Sequence, residues 1–430
     1  MNMNRTWKIF ALALAVKLSV LAFFLHVRPG LTNWGVNEAG MIARSLVLNH
    51  SYGAAFHDAP GPTAWLAPAY PSVVATIFTI FGIQSHAAAL VLLILNCLSS
   101  AITAAVVMKI GTQCFSAKVG LLSAIFWALS PVAVTELILW DSCMAALSLS
   151  LAIWMTVKLE PESRVRDYLY AGAMWGCAGL ISPSLLAPFL PILFVLYVRE
   201  RKAKQLLILA LAMVLVVTPW TLRNFFAFHT LMPIRSNGWA EIYFGNVGFD
   251  LHPSGPSMQY QTMGEAAFVE KTKSDVLRYL AAHPVEFSLL TARRAFHFWA
   301  LSDGSLGLSF ILGLLSFFGA FHAIRKSRNG AVVMLVLIFY PLIYYASYTF
   351  SRYRYPIEPI IYVLAAYGVT IIAKSAATIH SIDVLRTSNN AISDTVEERR
   401  FSAAPDGSYL GFSTRRVVAL TRRSKTEHQG

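Results

Sequence analysis

The chain has 430 residues, of which 56% are hydrophobic and only 13% charged, with a formal net charge of +13. A soluble domain carries about 25% charged residues, so the composition excludes an ordinary soluble enzyme and describes a polytopic membrane protein. The basic excess falls in short segments beside apolar runs, which fits orientation by the positive-inside rule better than nucleic-acid binding. Four cysteines, Cys97, Cys114, Cys143 and Cys177, lie in or next to apolar runs at spacings that match no metal site or disulfide framework, and read as packing residues.

Arg5 and Lys8 precede an apolar run from Ile9 to Val27. No small-residue cleavage site follows it, so it reads as an uncleaved first helix with a cytoplasmic N-terminus. Lys17 sits in its middle, where a lysine costs about 2.5–3.5 kcal/mol on insertion scales, so it must snorkel or face a partner inside the bundle.

The segment 28–86 follows, too long for a simple connector and too rich in aromatic, Pro and apolar residues for disorder. Within it, Glu38 opens the helical pattern E-A-G-M-I-A-R-S-L, with Asn37 as its predicted cap and Met41, Ile42 and Leu46 on an apolar face. A carboxylate is favoured in a helical first turn by the unpaired N–H groups there. His57-Asp58 read as a hydrogen-bonded turn, since no spacing completes a metal site. A Pro/Gly-rich turn then presents an exposed-looking Trp65, with Tyr70 close behind. The run 72–83 is too short to span comfortably and reads as an interfacial or re-entrant helix. An eleventh span in its place would invert everything downstream.

Apolar windows of about 17–25 residues predict further spans near 87–108, 119–137, 142–158, 168–183, 185–198, 205–220, 306–324, 331–349 and 357–373. With the first helix these make ten. The ten-span order places basic clusters such as Arg199–Arg201–Lys202–Lys204 and Arg325–Lys326–Arg328 inside, whereas inversion would put four such clusters outside. The expected architecture is therefore all-α, with residues 1–373 in the membrane-embedded domain. Segment 28–86 is the first outer loop, 221–305 the second, and 374–430 a polar, mostly disordered cytoplasmic tail. Both termini are cytoplasmic.

Acids and arginines on the outer face are the chemical signals. Glu136 and Asp141 bracket the end of the third span in T-E-L-I-L-W-D, and two acids from separate elements suit acid/base work or cation binding. Arg223, in P-W-T-L-R-N, and Arg352 and Arg354, in S-R-Y-R-Y-P-I-E-P, lie outside against the positive-inside rule. Guanidinium forks match phosphate oxygens, and these arginines interleave with tyrosines at headgroup depth. Arg293 and Arg294 in E-F-S-L-L-T-A-R-R read as headgroup contacts. No P-loop, GxSxG elbow, Rossmann fingerprint or HExxH is present, so an activated donor is expected to arrive through the membrane.

Four motifs in this order, N-E-A-G-M-I-A-R-S-L, G-P-T-A-W-L-A-P-A-Y-P, P-W-T-L-R-N with R-S-N-G-W-A-E-I-Y-F-G-N, and R-Y-R-Y-P-I-E-P, resemble glycosyltransferase family 39 within the GT-C superfamily. Its relatives include protein O-mannosyltransferases and lipid A aminoarabinose transferases. The resemblance covers about residues 5–373. It implies transfer of a sugar from a polyprenyl-phosphate carrier to an acceptor at the outer face of the plasma membrane, with inversion. By the same resemblance Glu38 is the first-loop acid, acting as base or acceptor-positioning group, and Asp141 is the second acid. Arg223, Arg352 and Arg354 hold the leaving phosphate, and Asn37, Trp65 and Tyr70 form the substrate loop. Many relatives carry Asp directly before the Glu, where this chain has Asn37, so either Glu38 has taken over the role of that Asp or activity is reduced. Beyond the lipid-linked donor, membrane lipids and an acceptor, no cofactor or nucleic-acid partner is implied, and a divalent metal has no support. A transporter or flippase of a lipid-linked saccharide is the rival reading; it calls for midplane charges or repeated halves, and Lys17 is the one strong midplane charge. A non-catalytic assembly partner ranks third.

Overall fold

In a computed structural model, residues 3–35, 37–56, 61–130, 135–247, 255–300 and 307–402 are described. The chain divides into two units, Met1–Ile371 and Ile372–Gly430. The described part of the second unit is helical as far as Ser402. His57-Asp58 lie outside the described residues.

Helix α1 (Met3–Val27) is followed by α2 (Glu38–Asn49) and α3 (Ala69–Phe81). The bundle continues with α4 (His86–Cys114), α5 (Ala117–Ala128), α6 (Ser142–Val157), α7 (Val165–Ile181), α8 (Phe189–Glu200) and α9 (Ala203–Phe228). The second large loop folds as α10 (Gly238–Asn246), α11 (Gly255–Met263), α12 (Glu265–Ala282) and α13 (Pro284–Ala300). Helices α14 (Leu308–Lys326), α15 (Gly330–Phe339), α16 (Leu342–Ala346), α17 (Ser351–Arg354) and α18 (Glu358–Ser402) complete the described chain.

Among the described residues, six helical segments are long and apolar enough to cross a membrane: 4–27, 86–114, 183–200, 203–228, 308–326 and 352–378. The protein is thus an integral membrane protein. Each of the ten predicted spans finds a helix, but several are shorter than a bilayer requires. The window 119–137 is helical only to Ala128, just before Ser130-Pro131, because proline lacks the N–H that helix continuation needs and disfavours helix in the residue before it. The window 331–349 breaks in the same way at Tyr340-Pro341. The opposite happens at the last span, predicted over 357–373. The helix runs on through Ser402, in a stretch from Lys374 that holds neither Gly nor Pro.

Two large apolar cores and two small ones result among the described residues. The larger lies in the bundle, where Trp127, Leu149, Trp175, Leu209, Val336 and Ile361 are buried together. Gly111 and Gly120 face each other at the α4–α5 contact, and a Cβ on Gly120 would fall 2.4 Å from the carbonyl oxygen of Met108, so the two helices meet backbone to backbone. The second core forms beneath the loops. Ile42 and Ala43 of α2 and Val74 and Phe78 of α3 pack with Trp65, and Ala240, Tyr260 and Phe268 of the second large loop close over them. The two loops therefore fold as one body.

Buried polar contacts tie that body together. Glu265 at the start of α12 accepts from Thr63 Oγ1 at 2.6 Å, from the Ala64 amide at 2.7 Å and from the Tyr260 hydroxyl. Trp65, expected to be exposed, is instead 3% accessible and sits among the rings of Phe56, Tyr260 and Phe268. Its polar, Pro/Gly-rich neighbours suggested a surface turn; the second loop supplies the cover that the local sequence lacks.

Candidate active site

The end of α2 nearest the cavity is built as its residues dictate. Asn37 accepts from the Gly40 amide at 2.7 Å, capping the helix, and Ala39, Met41, Ile42 and Ala43 are buried on its inner face. Glu38, the first helical residue, thereby faces a cavity of about 530 Å³. Trp65, Leu66, Ala67 and Tyr70 from the rest of the first loop line the same space.

Four further elements contribute. The turn before α6 brings Trp140 and Asp141, and the turn after α7 brings Ser182 and Ser184. The lead into α10 brings Arg235 and Asn237, and α10 itself brings Glu241. The stretch from Tyr340 to Tyr353 adds Tyr344, Tyr348 and Arg352. Three carboxylates and two guanidinium groups thus share one partly apolar chamber.

Electrostatics differentiate the acids. Burial pushes the Asp141 carboxyl up from an ordinary 3.8 to about 6, with Arg235 and Arg352 pulling against the rise. Burial also raises the Glu241 carboxyl, opposed first by Arg235, which lies 4.0 Å away, and by a hydrogen bond donated by the Tyr348 hydroxyl. Asn237 donates to Glu241 Oε1 at 2.6 Å. Arg235 is thus shared with a carboxylate. Arg352 stacks its guanidinium over Trp140 at 4.6 Å and near Tyr353 at 5.3 Å, and its buried Nε has no hydrogen-bond partner among the described residues. Two tyrosine rings, Tyr344 and Tyr353, stack at 4.7 Å on that wall, and a hydroxyl chain runs from Ser182 through Ser184 to Tyr344 and Tyr340.

The structure brings together Glu38, Asp141, Arg352, Trp65 and Tyr70, and it keeps Arg223 and Arg354 out of the cavity. Arg223 donates to the carbonyls of Thr63 at 2.7 Å and Tyr52 at 2.6 Å, fastening the first loop to α9. Arg354 is 1% accessible; its Nε lies 2.7 Å from Glu358, and it also donates to the carbonyl of Trp299. Two residues apart in one helical turn, Arg352 and Arg354 face in different directions, which adjacency in the motif concealed. Arg294, read as a headgroup contact, is buried and bonds Asn246 Oδ1 at 2.9 Å and the carbonyl of Gly245. Its neighbour Arg293 is exposed.

Two charged cavity residues escaped the sequence reading, Arg235 and Glu241. Both lie in R-S-N-G-W-A-E, and an arginine six residues before an acid in a loop was the available signal. Lys17 has its partner in Glu136 at 2.9 Å, so Glu136 belongs to the bundle and only Asp141 to the cavity. Among the described residues no group of three or more His, Cys, Asp or Glu side chains is arranged to hold a metal ion.

Residues 67–222 match the family model described as dolichyl-phosphate-mannose-protein mannosyltransferase. No curated protein matches the chain in sequence. Among solved structures, the fold is similar to that of ArnT from Cupriavidus metallidurans bound to undecaprenyl phosphate. The identity is 14% and the TM-score 0.51, over 86% of this chain and 61% of that one. It is also similar to the oligosaccharyltransferase AglB from Archaeoglobus fulgidus in complex with an inhibitory peptide and a dolichol-phosphate. Here the identity is 12% and the TM-score 0.52, over 97% of this chain and 54% of that one. The chain thus spans a little over half the length of these relatives.

Proposed function

We propose that this chain, which has the GT-C fold and resembles the dolichyl-phosphate-mannose-protein mannosyltransferases over residues 67–222, moves a sugar from a polyprenyl-phosphate carrier to an acceptor at the outer face of the membrane. The observation that carries the reading is the convergence of Glu38, Asp141, Arg235 and Arg352 on one chamber. A glycosyl phosphate needs a cation where the leaving oxygen gains charge, and an attacking hydroxyl needs a base within hydrogen-bond reach.

In this scheme the phosphate lies against Arg352, the guanidinium with an unpartnered Nε and an aromatic bed, with Arg235 beside it. The bond from the anomeric carbon to the phosphate oxygen breaks and its electron pair stays on the phosphate. The acceptor oxygen attacks the opposite face of the anomeric carbon, which inverts it, and the acceptor proton passes to Glu38. Asp141, whose carboxyl burial pushes up to about 6, orients the acceptor or takes the proton in its place. The isoprenoid tail leaves past Leu186, Ala187 and Ile343, the apolar part of the lining, and Leu342 and Ile343 are exposed at that edge. Arg223 and Arg354 hold the walls of the site. A flippase would use a charged path across the bundle, whereas Lys17, the charge in the middle of the first helix, is closed off by Glu136.

The test is sugar release from a panel of radiolabelled polyprenyl-phosphate sugars by purified protein in lipid, with acceptors varied. Wild-type turnover abolished by both Glu38→Gln and Arg352→Ala, with folding intact, supports the reading. Transport of lipid-linked sugar across vesicles without hydrolysis or transfer would refute it.

A further inference from the structure

A single buried oxygen in the bundle joins both halves of the proposed catalytic chamber. Glu136 Oε1 lies 2.9 Å from Lys17 Nζ, 2.8 Å from Ser100 Oγ and 2.8 Å from the Tyr355 hydroxyl, and all three donate to it. Lys17 is 1% accessible and Glu136 2%. The Lys17 ammonium also lies 5.8 Å from the Trp127 ring. The backbone around Glu136 is held separately: Asn96 donates to the carbonyls of Glu136 and Ile138, both at 3.0 Å.

The surroundings of these residues give the arrangement its meaning. Glu136 stands four and five residues before Trp140 and Asp141, on the irregular segment that leads into α6. Tyr355 stands three residues after Arg352, at the turn between α17 and α18. Neither segment is a long helix, so neither can fix its cavity residue through its own backbone. A buried ion pair costs desolvation that an apolar pair of similar volume avoids, so it contributes little to stability by itself. Its two charges do make one geometry strongly preferred, because a lone buried charge is far more costly.

We infer that Lys17 and Glu136 form a positioning pair, a charged clasp inside the bundle that sets the spacing between Asp141 and Arg352 across the cavity. This inference rests on the proposed transferase site. Pulling Tyr355 onto Glu136 brings the Arg352 turn toward the Asp141 turn. Arg352 in turn holds down the Asp141 carboxyl, as does Arg235, while Tyr70, Tyr340 and Tyr344 lie within electrostatic reach of it.

The test compares Tyr355→Phe with Ser100→Ala. Each removes one hydrogen bond from the same Glu136 oxygen, but only Tyr355 lies on the segment that carries Arg352. Both should lower the thermal midpoint by similar amounts. Tyr355→Phe should also cut kcat/KM roughly tenfold, the scale of a small misplacement at a reacting centre. It should move the acid limb of the pH–rate profile upward, because Asp141 loses part of the pull of Arg352 and keeps that of Arg235, and weaken binding of undecaprenyl phosphate in nanodiscs. Ser100→Ala should leave all three readouts at wild-type values. The charge-free double variant Lys17→Met/Glu136→Gln should fold and behave like Tyr355→Phe. Equal behaviour of the two single variants in the pH profile and in carrier binding would overturn the clasp while leaving the transferase reading intact. A wild-type protein that neither binds undecaprenyl phosphate nor releases sugar would overturn both.

Discussion

Asp141→Asn should stabilise the protein while damaging its activity, and only above a defined pH. The folded chain holds this carboxyl near 6, against 3.8 for an ordinary aspartate, because burial outweighs the pull of Arg235 and Arg352. A raised acid pKa means that the native state binds the proton more tightly than the unfolded state does. Stability therefore falls as pH rises from about 4 through about 6, and the full cost is present above that window. The cost is about 3 kcal/mol at neutral pH, at 1.36 kcal/mol for each tenfold difference in proton affinity. Asparagine resembles the protonated acid in size and carries no charge to bury. The variant should gain up to about 3 kcal/mol at pH 7.5 and nothing at pH 4. For a chain of this size, each kcal/mol shifts the thermal midpoint by about 2 °C or less. The assay is thermal unfolding of both proteins in lipid nanodiscs across pH 4–8, with turnover measured on the same samples. A variant that is destabilised equally at every pH would refute the reasoning, because it would mean that Asp141 acts as a hydrogen-bonded structural group. Turnover should rise with pH through about 6 in the wild type as Asp141 ionises, and that limb should vanish in the variant.

Other perturbations follow from the loop body and the cavity. Glu265→Ala strips the acceptor from Thr63, Ala64 and Tyr260, leaving buried donors that cost about 1–3 kcal/mol each. Amide exchange at residues 61–66 should accelerate, and unchanged protection there would count against the latch. Gly245→Val should abolish activity at modest expression cost, since a Cβ at this position falls 2.1 Å from the carbonyl oxygen of Ser347 and would push α10, with Glu241, off the Tyr348 segment. Full activity in that variant would show that α10 is dispensable. Trp65→Ala should cost about 3–5 kcal/mol through the cavity left among Phe56, Tyr260 and Phe268, readable as a lower thermal midpoint.

Much of the scaffold is legible in the chain alone. Apolar windows locate the helices of the bundle, and Asn37-Glu38 announces a helix start that the structure builds with the expected cap. Glu38, Asp141, Arg352, Trp65 and Tyr70 are recognisable by residue type and placement, and they do share one chamber. Local chemistry determines these features: hydropathy over 20 residues, a cap over three, a proline that stops a helix. Other features depend on residues far apart in sequence. Arg352 and Arg354 look equivalent until Glu358 and the carbonyls near Trp299 claim one of them. Arg223 reads as a phosphate ligand until Tyr52 and Thr63 present their carbonyls to it. Trp65 reads as exposed until α11 and α12, about 200 residues later, close over it, and Lys17 finds Glu136 across 119 positions. A charge in a sequence specifies that some partner is needed. Which partner it meets depends on how the helices pack, because the cost of leaving a buried charge or ring uncovered is settled only between elements that the chain order keeps apart.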